Sequence, residues 1–343
     1  MLLILIVFPL TILFVFNKIN SKAVIGRNSS SNGEWLVATV TNSNNKSDLW
    51  MIDTETQRKQ KLVSNRDAMI TGKVNTTGEI LLYSDAIGNN SWDIFRFNIP
   101  TKETYQITDD PLGQFNLRFG DEKGDIILAK SGDKNSPVPQ ISKIDVIKKE
   151  GKILELGSGL GVQDFDVGNN KIIALAFSYE EFITKKFKEQ NDSAKINYYI
   201  IAMDIDGSNR TVVSQITAVR LDSISFSKSN DFIILGGSGI QDNENGFYKL
   251  DIKKNKIDTL LTQEQLKKTN EVSEFSQPYI AALSSDEKNI YFTAISIGTS
   301  QKNILGLTVY PNALYCYNLE DEKVNEIFKI PDSFIPSISF TYK

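Results

Sequence analysis

The chain has 343 residues, room for two average domains or one large all-β domain, and its 41% apolar and 23% charged residues suit a globular protein with a sizeable core. A formal charge of −4, with Lys and Arg dispersed, argues against a nucleic-acid surface, which needs a basic stripe to displace phosphate counterions. The absence of histidine and the single cysteine exclude Ser-His-Asp and Cys-His nucleophiles, histidine-ligated zinc, the commonest base near neutral pH and any intramolecular disulfide.

Met1 to Phe16 is an uncharged apolar run interrupted by Pro9 and Thr11. It is short for a bilayer span of ~20 residues and long for a signal-peptide core of about 7–15. Ser21-Lys22-Ala23 places small residues where a signal peptidase reads. Lys18, Lys22 and Arg27 follow the run and no Lys or Arg precedes it, a pattern that leaves the C-terminal side in the cytoplasm. A misplaced start codon that dropped a basic leader explains the same pattern. The expectation is a leader helix over residues 1–23, cleaved or kept as an anchor, with residues 24–343 forming one extracytoplasmic domain. No cysteine lies near the cleavage position, which excludes a lipid-modified N-terminus.

After the leader, a short alternating apolar run ends on Asp or Asn six times, at Asp53, Asn98, Asp145, Asp204, Asp251 and Asn318. The marks recur roughly every 45 residues, in the range of β-propeller blades, and the intervals 145–204 and 251–318 are longer. Between marks lies a second, continuously apolar stretch, as in Ile80-Leu81-Leu82-Tyr83, Ile126-Ile127-Leu128-Ala129 and Phe232-Ile233-Ile234-Leu235. Each unit therefore reads as four strands: an inner strand, a polar turn, a core strand packed on both faces, a third strand ending on the mark, and an outer strand. Asp or Asn at a strand end accepts a backbone N–H two residues on and so holds a hairpin turn, and Gly207 supplies the positive φ that a tight turn needs. The fold class predicted is all-β, a six-bladed propeller of four-stranded antiparallel blades behind the leader helix.

Taken in order, the remaining features read as structure. Asp109-Asp110-Pro111 is a turn after an outer strand. Gly157-Ser158-Gly159-Leu160-Gly161 has neither a nucleophile elbow nor a surrounding βαβ unit, and reads as a flexible loop, as does Gly236-Gly237-Ser238-Gly239. Residues 178–196 carry Tyr179, Phe182, Ile183 and Phe187 at helical spacing, and Thr262-Gln263-Glu264-Gln265 is a capping box before Leu266. Both predict short helices inserted on blade-connecting loops, each either covering a propeller edge or presenting a partner-binding lobe. Asp242-Asn243-Glu244-Asn245-Gly246 loosely resembles the start of a calcium loop, but Lys253 to Asn255 stand where a bidentate Glu is needed, so it reads as a polar loop. Cys316 sits in a strand pattern between Tyr315 and Tyr317 as a small apolar residue. The terminal Ile335-Pro336-Ser337-Ile338-Ser339-Phe340-Thr341 resembles the inner strand Ser223-Ile224-Ser225-Phe226-Ser227 and is expected to close the ring, with Val24-Ile25-Gly26 as the other candidate.

Asp204-Ile205-Asp206-Gly207-Ser208-Asn209, together with Phe226-Ser227-Lys228-Ser229-Asn230-Asp231-Phe232-Ile233, resembles the repeat of TolB-type β-propellers. In that family a strand runs into a Ser-Pro-Asp-Gly-Lys-like turn, then a core strand and an aspartate-ended strand. The resemblance covers roughly residues 30–343. The family's proline is absent from Asn75-Thr76-Thr77-Gly78 and Ser284-Ser285-Asp286-Glu287-Lys288, which marks a divergent member. The resemblance implies an interaction or ligand-binding scaffold outside the cytoplasm. The same repeats form non-catalytic domains of serine peptidases and the body of some pectate-oligomer lyases. The peptidases need a hydrolase domain with a histidine and the lyases a histidine-bound metal, so neither activity carries over.

The resulting expectation is a non-catalytic monomeric scaffold with no catalytic, cofactor or metal residues and no cofactor. It binds a protein or cell-envelope polymer at the channel mouth or on the inserted loops, and meets a membrane only through residues 1–16. The leading rival is a glycan-degrading enzyme using paired carboxylates. Adjacent pairs such as Asp109-Asp110 and Glu180-Glu181 do not provide them, since catalysis needs acidic groups facing each other roughly 5–10 Å apart across a cleft. A third reading is an envelope sensor anchored by Met1–Phe16.

Overall fold

A computed structural model of the chain describes residues 34–342 apart from 68–69, 87–91, 110–111, 134–135, 241–243 and 305. The leader over residues 1–23 and Val24-Ile25-Gly26 lie outside the described residues. Among the described residues no helix is long and apolar enough to cross a membrane.

Six four-stranded antiparallel blades form the predicted propeller. Given in the order inner, core, third and outer strand, blade 2 is Thr71–Val74, Ile80–Ala86, Trp92–Asn98 and Thr104–Gln106. Blade 3 is Gly113–Phe119, Ile126–Asp133, Ser136–Asp145 and Glu150–Leu154. Blade 4 is Leu160–Gly168, Lys171–Ser178, Ile196–Asp204 and Thr211–Ala218. Blade 5 is Arg220–Phe226, Phe232–Ser238, Asn245–Asp251 and Lys256–Thr262. Blade 6 has its inner strand in two pieces, Val272–Phe275 and Ala281–Leu283, followed by Asn289–Ser296, Ala313–Asn318 and Val324–Phe328. Blade 1 joins both ends of the propeller: Ser333–Tyr342 is the inner strand on Glu34–Asn42, Lys46–Asp53 and Lys59–Asp67. The C-terminal strand pairs antiparallel with the first core strand, Trp35 opposite Thr341 and Val37 opposite Ser339. It is thus the expected closing strand, and it leaves no open inner edge.

The core explains why the core strands are apolar without alternation. Six apolar clusters among the described residues each lie between consecutive blades, so successive residues of one core strand serve opposite neighbours. Leu81 packs toward blade 1 and Leu82 toward blade 3; Ile172 faces blade 3 and Ile173 faces blade 5. The cluster of Tyr291, Leu314, Leu36, Ile52, Ile338 and Phe340 closes the circle between blades 6 and 1.

The Asp/Asn marks hold the third-to-outer turns. Asp53 Oδ1 accepts from the Glu55 and Thr56 amides at 3.1 and 2.8 Å, Asp251 Oδ1 from Lys253 and Lys254 at 3.0 and 2.9 Å, and Asn318 Oδ1 from Glu320 and Asp321 at 2.9 and 3.0 Å. The backbone N–H of Lys148 at Asp145, and that of Lys254 at Asp251, holds each carboxyl below its ordinary range by favouring the charged form. At Asp204 the arrangement differs: Asp206 takes the Ser208 amide at 2.8 Å while Asp204 accepts from the Asn209 side chain at 2.6 Å.

Four points differ from the expectations. The 178–196 insertion does not connect blades; it joins the core and third strands of blade 4. Gly236-Gly237-Ser238 is not a flexible loop but the buried end of the blade 5 core strand, where a Cβ on Gly236 would overlap the Tyr279 carbonyl of blade 6. The long 251–318 interval contains a further insertion, a hairpin of Lys302–Ile304 with Leu307–Val309 between the core and third strands of blade 6. Gly157 and Gly159 are loop residues with positive φ, whereas Leu160 and Gly161 begin the inner strand of blade 4.

The Thr262 capping box is present in both directions, and the helix Gln263–Lys268 that it starts buries Leu266 in the core between blades 5 and 6. Thr262→Ala is expected to cost about 1 kcal/mol in chemical denaturation. An unchanged midpoint would show that the cap is dispensable.

Candidate functional site

Two regions lie outside the repeating scaffold chemistry: the central channel and one face of the ring. The channel is lined by the inner strands, whose alternation sends every second side chain toward the axis. Several of these side chains staple one blade to the next. Ser339 and Thr341 of blade 1 donate to the Gly72 and Val74 carbonyls of blade 2 at 2.6 and 2.7 Å. Ser223 and Ser225 of blade 5 donate to Tyr279 and Ala281 of blade 6 at 2.7 and 3.3 Å. The Ser-x-Ser pattern shared by the two inner strands is therefore a row of inter-blade hydroxyl bonds.

Between blades 3, 4 and 5 the staples are ionic. Arg118 Nε donates to Asp166 at 2.9 Å, and its Nη2 stands 3.7 Å from Asp164. The aspartates also accept from blade 5, Asp164 from the Ile224 amide at 3.1 Å and Asp166 from the Phe226 amide at 2.9 Å. Burial raises the Asp164 carboxyl above its ordinary value, against the opposing pull of Arg118 and of the Ile224 and Phe165 amides. Lys73 of blade 2 donates to the Phe340 carbonyl of blade 1. Burial depresses the Lys73 amine to about 8, opposed by the charge of Asp166 and reinforced by that of Arg118. With a folded-state value below the ordinary 10.5, its contribution to stability is full above pH 10.5 and is lost as pH falls toward 8. Relative to Lys73→Met, the wild-type protein is expected to gain stability from pH 8 to 10.5 in thermal unfolding; parallel pH profiles would refute this.

The cavity among these groups is about 80 Å³, room for a few waters, against about 300–1,000 Å³ for typical small-molecule sites. Its aspartates sit two residues apart on one strand and share one arginine, so they are not an acid–base pair facing each other across a cleft. Glu181, of the adjacent pair at 180–181, is bound to Lys185 at 2.6 Å and to the Asn197 amide at 3.1 Å. Asp110 and Pro111 lie outside the described residues, as do Asp242 and Asn243, while Gly246 belongs to the third strand of blade 5. Cys316 is a half-buried strand residue whose thiol is pushed up to about 11, chiefly by burial.

The second region follows from topology. Strands alternate in direction, so the Asp/Asn-marked turns and the inner-to-core turns open on one face. Core-to-third connections and blade crossings open on the other. Both helical insertions and the extra hairpin belong to the second class and emerge on that face, at blades 4 to 6. In blade 4 the helix Tyr179–Phe182, capped by Ser178, continues as a π-helix over Ile183–Lys188. An aromatic ladder climbs out of the core here, Phe177 to Phe182 at 5.2 Å and Phe182 to Phe187 at 5.5 Å, ending with Phe187 63% exposed. In blade 6, Ile297 and Leu307 are 57% and 62% exposed, and Tyr310 is bound by Gln301 at 3.0 Å. The helix at 263–268 differs: its apolar residue is buried, so it seals the core. Sequence reasoning found the aromatic insertion but missed the hairpin, whose signal is the apolar Ile304, Leu307 and Val309 around Gly306.

No protein-family model matches the chain, and no curated protein matches it in sequence. Among solved structures it is similar to TolB of Acinetobacter baumannii at 12% identity and a TM-score of 0.64, over 90% of this chain and 66% of that one. It therefore spans about two thirds of that TolB's length. A putative TolB from Agrobacterium tumefaciens is similar at 8% identity and a TM-score of 0.56, over 90% of this chain and 99% of that one. The chain has the TolB-type propeller fold. A chain of a nidogen/laminin complex shares the fold at 12% identity and a TM-score of 0.56, over 90% of this chain and 98% of that one. An oligogalacturonate lyase in complex with manganese does so at 11% and 0.52, over 87% and 73%. A manganese ion does not fit this TolB-like channel. Its carboxylates already accept from Arg118 and backbone amides, and no group of three or more acidic or cysteine side chains suited to a metal occurs among the described residues.

Proposed function

We propose that this TolB-like propeller is a non-catalytic extracytoplasmic scaffold that binds a protein partner on the insertion face of blades 4 to 6. The observation that carries the reading is the exposure of Phe187, Ile297, Leu307 and Tyr310 on insertions that all open on that face. Apolar and aromatic side chains held out on ordered loops are the usual anchors of protein interfaces. The small, stapled channel leaves no room there for a polymer. A fold neighbour that comes from a protein–protein complex agrees with such a role. The extracytoplasmic placement rests on the apolar Met1–Phe16.

The test is site-specific photo-cross-linking in the native cell from positions 187 and 307, with position 147 on the opposite face as control. One recurring protein is expected at 187 and 307 and not at 147. Phe187→Ala with Leu307→Asp should weaken its capture at least tenfold while moving the unfolding midpoint little, because both side chains are mainly in water. Equal capture from all three positions would sink the face assignment. Degradation of an envelope glycan by the purified protein would sink the non-catalytic reading.

A further inference from the structure

Each outer strand ends its blade in a row of unpaired N–H and C=O groups, which template pairing with another strand unless the edge is blunted. Five of the six edges are blunted. Blade 2 ends in a strand of three residues, Thr104–Gln106. The outer strands of blades 1, 3, 5 and 6 carry charge, at Lys61, Lys152, Asp258 and Glu326 among others. Blade 4 is the exception. Its outer strand, Thr211–Ala218, runs for eight residues without a charge and is rich in Thr, Val and Ile. Val212 is 62% exposed, and Thr211, Gln215 and Thr217 are exposed as well. A register shift at Val213 affects only the start of the strand, and Ser214–Ala218 pairs regularly. Arg210, just before the strand, turns back to the Glu155 carbonyl at 2.9 Å instead of guarding the edge. Among the described residues the strand pairs on one side only, with Ile196–Asp204.

We propose that this edge pairs with the same edge of a second copy of the chain, Thr211–Ala218 antiparallel to its twin, so that two blades join into one sheet across a two-fold axis. An antiparallel edge is complementary to itself in backbone hydrogen bonding, and an isologous contact closes at two copies. Side-chain charge selects blade 4 for this contact. Centred on Ile216, the pairing sets Gln215 opposite Thr217 and Ser214 opposite Ala218, and no charge loses its water. The same arrangement on blade 3 or blade 6 sets the middle residue of the strand, Lys152 or Glu326, against its own twin, and like charges directly opposite destabilise a pair. The contact is one strand wide, at the small end of specific interfaces, about 1,200 Å² or less, so the dimer should dissociate on dilution. The outer strand runs toward the insertion face, and its antiparallel twin turns the second insertion face the opposite way. Phe187 and Leu307 therefore stay free, and either reading can fail without the other.

The experiment follows the whole chain by sedimentation equilibrium from about 1 to about 500 μM, a range that brackets the dissociation constant of a small interface. Amide hydrogen exchange is read at both ends of that range. The mass should rise from one chain to two, and exchange should slow within residues 211–218 and at no other outer strand. Gln215→Lys places a charge on the edge and should raise the dissociation constant by about tenfold or more. Because that side chain is exposed, the monomer's unfolding midpoint should stay where it was. Asn325→Lys, on the edge of blade 6, should leave the dimer intact, and so should Phe187→Ala with Leu307→Asp, which disables only the insertion face. A one-chain mass throughout, equal effects of Gln215→Lys and Asn325→Lys, or slowed exchange at another edge or on the insertion face would overturn the proposal. If Gln215→Lys does not fold, the wild-type exchange pattern still decides.

Discussion

Removal of residues 333–343 is expected to leave no cooperatively folded protein. The lost segment is the inner strand of blade 1, and it carries Ile335, Ile338 and Phe340, all buried between blades 6 and 1. At about 1.5–3 kcal/mol for each fully buried large apolar side chain, their loss is roughly 5–9 kcal/mol. That is comparable to the whole stability of a typical domain, about 5–15 kcal/mol. The truncation also bares the edge of Glu34–Asn42, a nine-residue apolar strand suited to pairing with other chains. Size-exclusion chromatography and thermal unfolding should show aggregates without a cooperative transition. A monomer unfolding within a few degrees of the full chain would mean that the ring closes without its C-terminal strand.

Arg118→Ala should be the most damaging single substitution in the channel. It leaves Asp164 and Asp166 buried with only backbone amides and the Asn116 side chain as donors, and breaking a buried ion cluster from one side costs about 3–5 kcal/mol. The loss should depend on pH in a defined direction. Without the guanidinium, the burial that raises the Asp164 carboxyl acts with less opposition. The deficit is then small below the ordinary Asp value of about 3.9 and grows as pH rises through the raised folded value of Asp164. Denaturant melts of both proteins at pH 4 and pH 7 measure this. A deficit larger at pH 4 would contradict the electrostatic account, and no deficit at pH 7 would show that the staple is ornamental.

The repeat was legible because it is local. Every mark but Asp204 holds a turn within three residues of itself, and each core strand needs apolar side chains throughout because both of its faces meet a blade. The closing role of residues 335–341 could also be read, since the hydroxyl spacing of Ser337, Ser339 and Thr341 matches that of Ser223 and Ser225. Gly236 and Gly237 read as a loop in the sequence yet lie in a core strand, for the opposite reason. Their requirement comes from the Tyr279 and Arg220 carbonyls that would meet a Cβ, and the Tyr279 carbonyl belongs to another blade. The ionic cluster left only a faint trace, polar or charged residues at alternate positions around an apolar one in Asn116-Leu117-Arg118 and Asp164-Phe165-Asp166.

By itself, then, the sequence determined the number of blades, their four-strand order and the Asp/Asn-marked turns, and narrowed the closing strand to two candidates. All of these follow from residue type and periodicity within about one repeat. Only the tertiary structure decided that Lys73, Arg118, Asp164 and Asp166 meet in one cavity and that Phe187 and Leu307 open on the same face. The physical reason is that spatial neighbours across the axis lie about one blade or more apart along the chain, where no local periodicity records which side chain meets which.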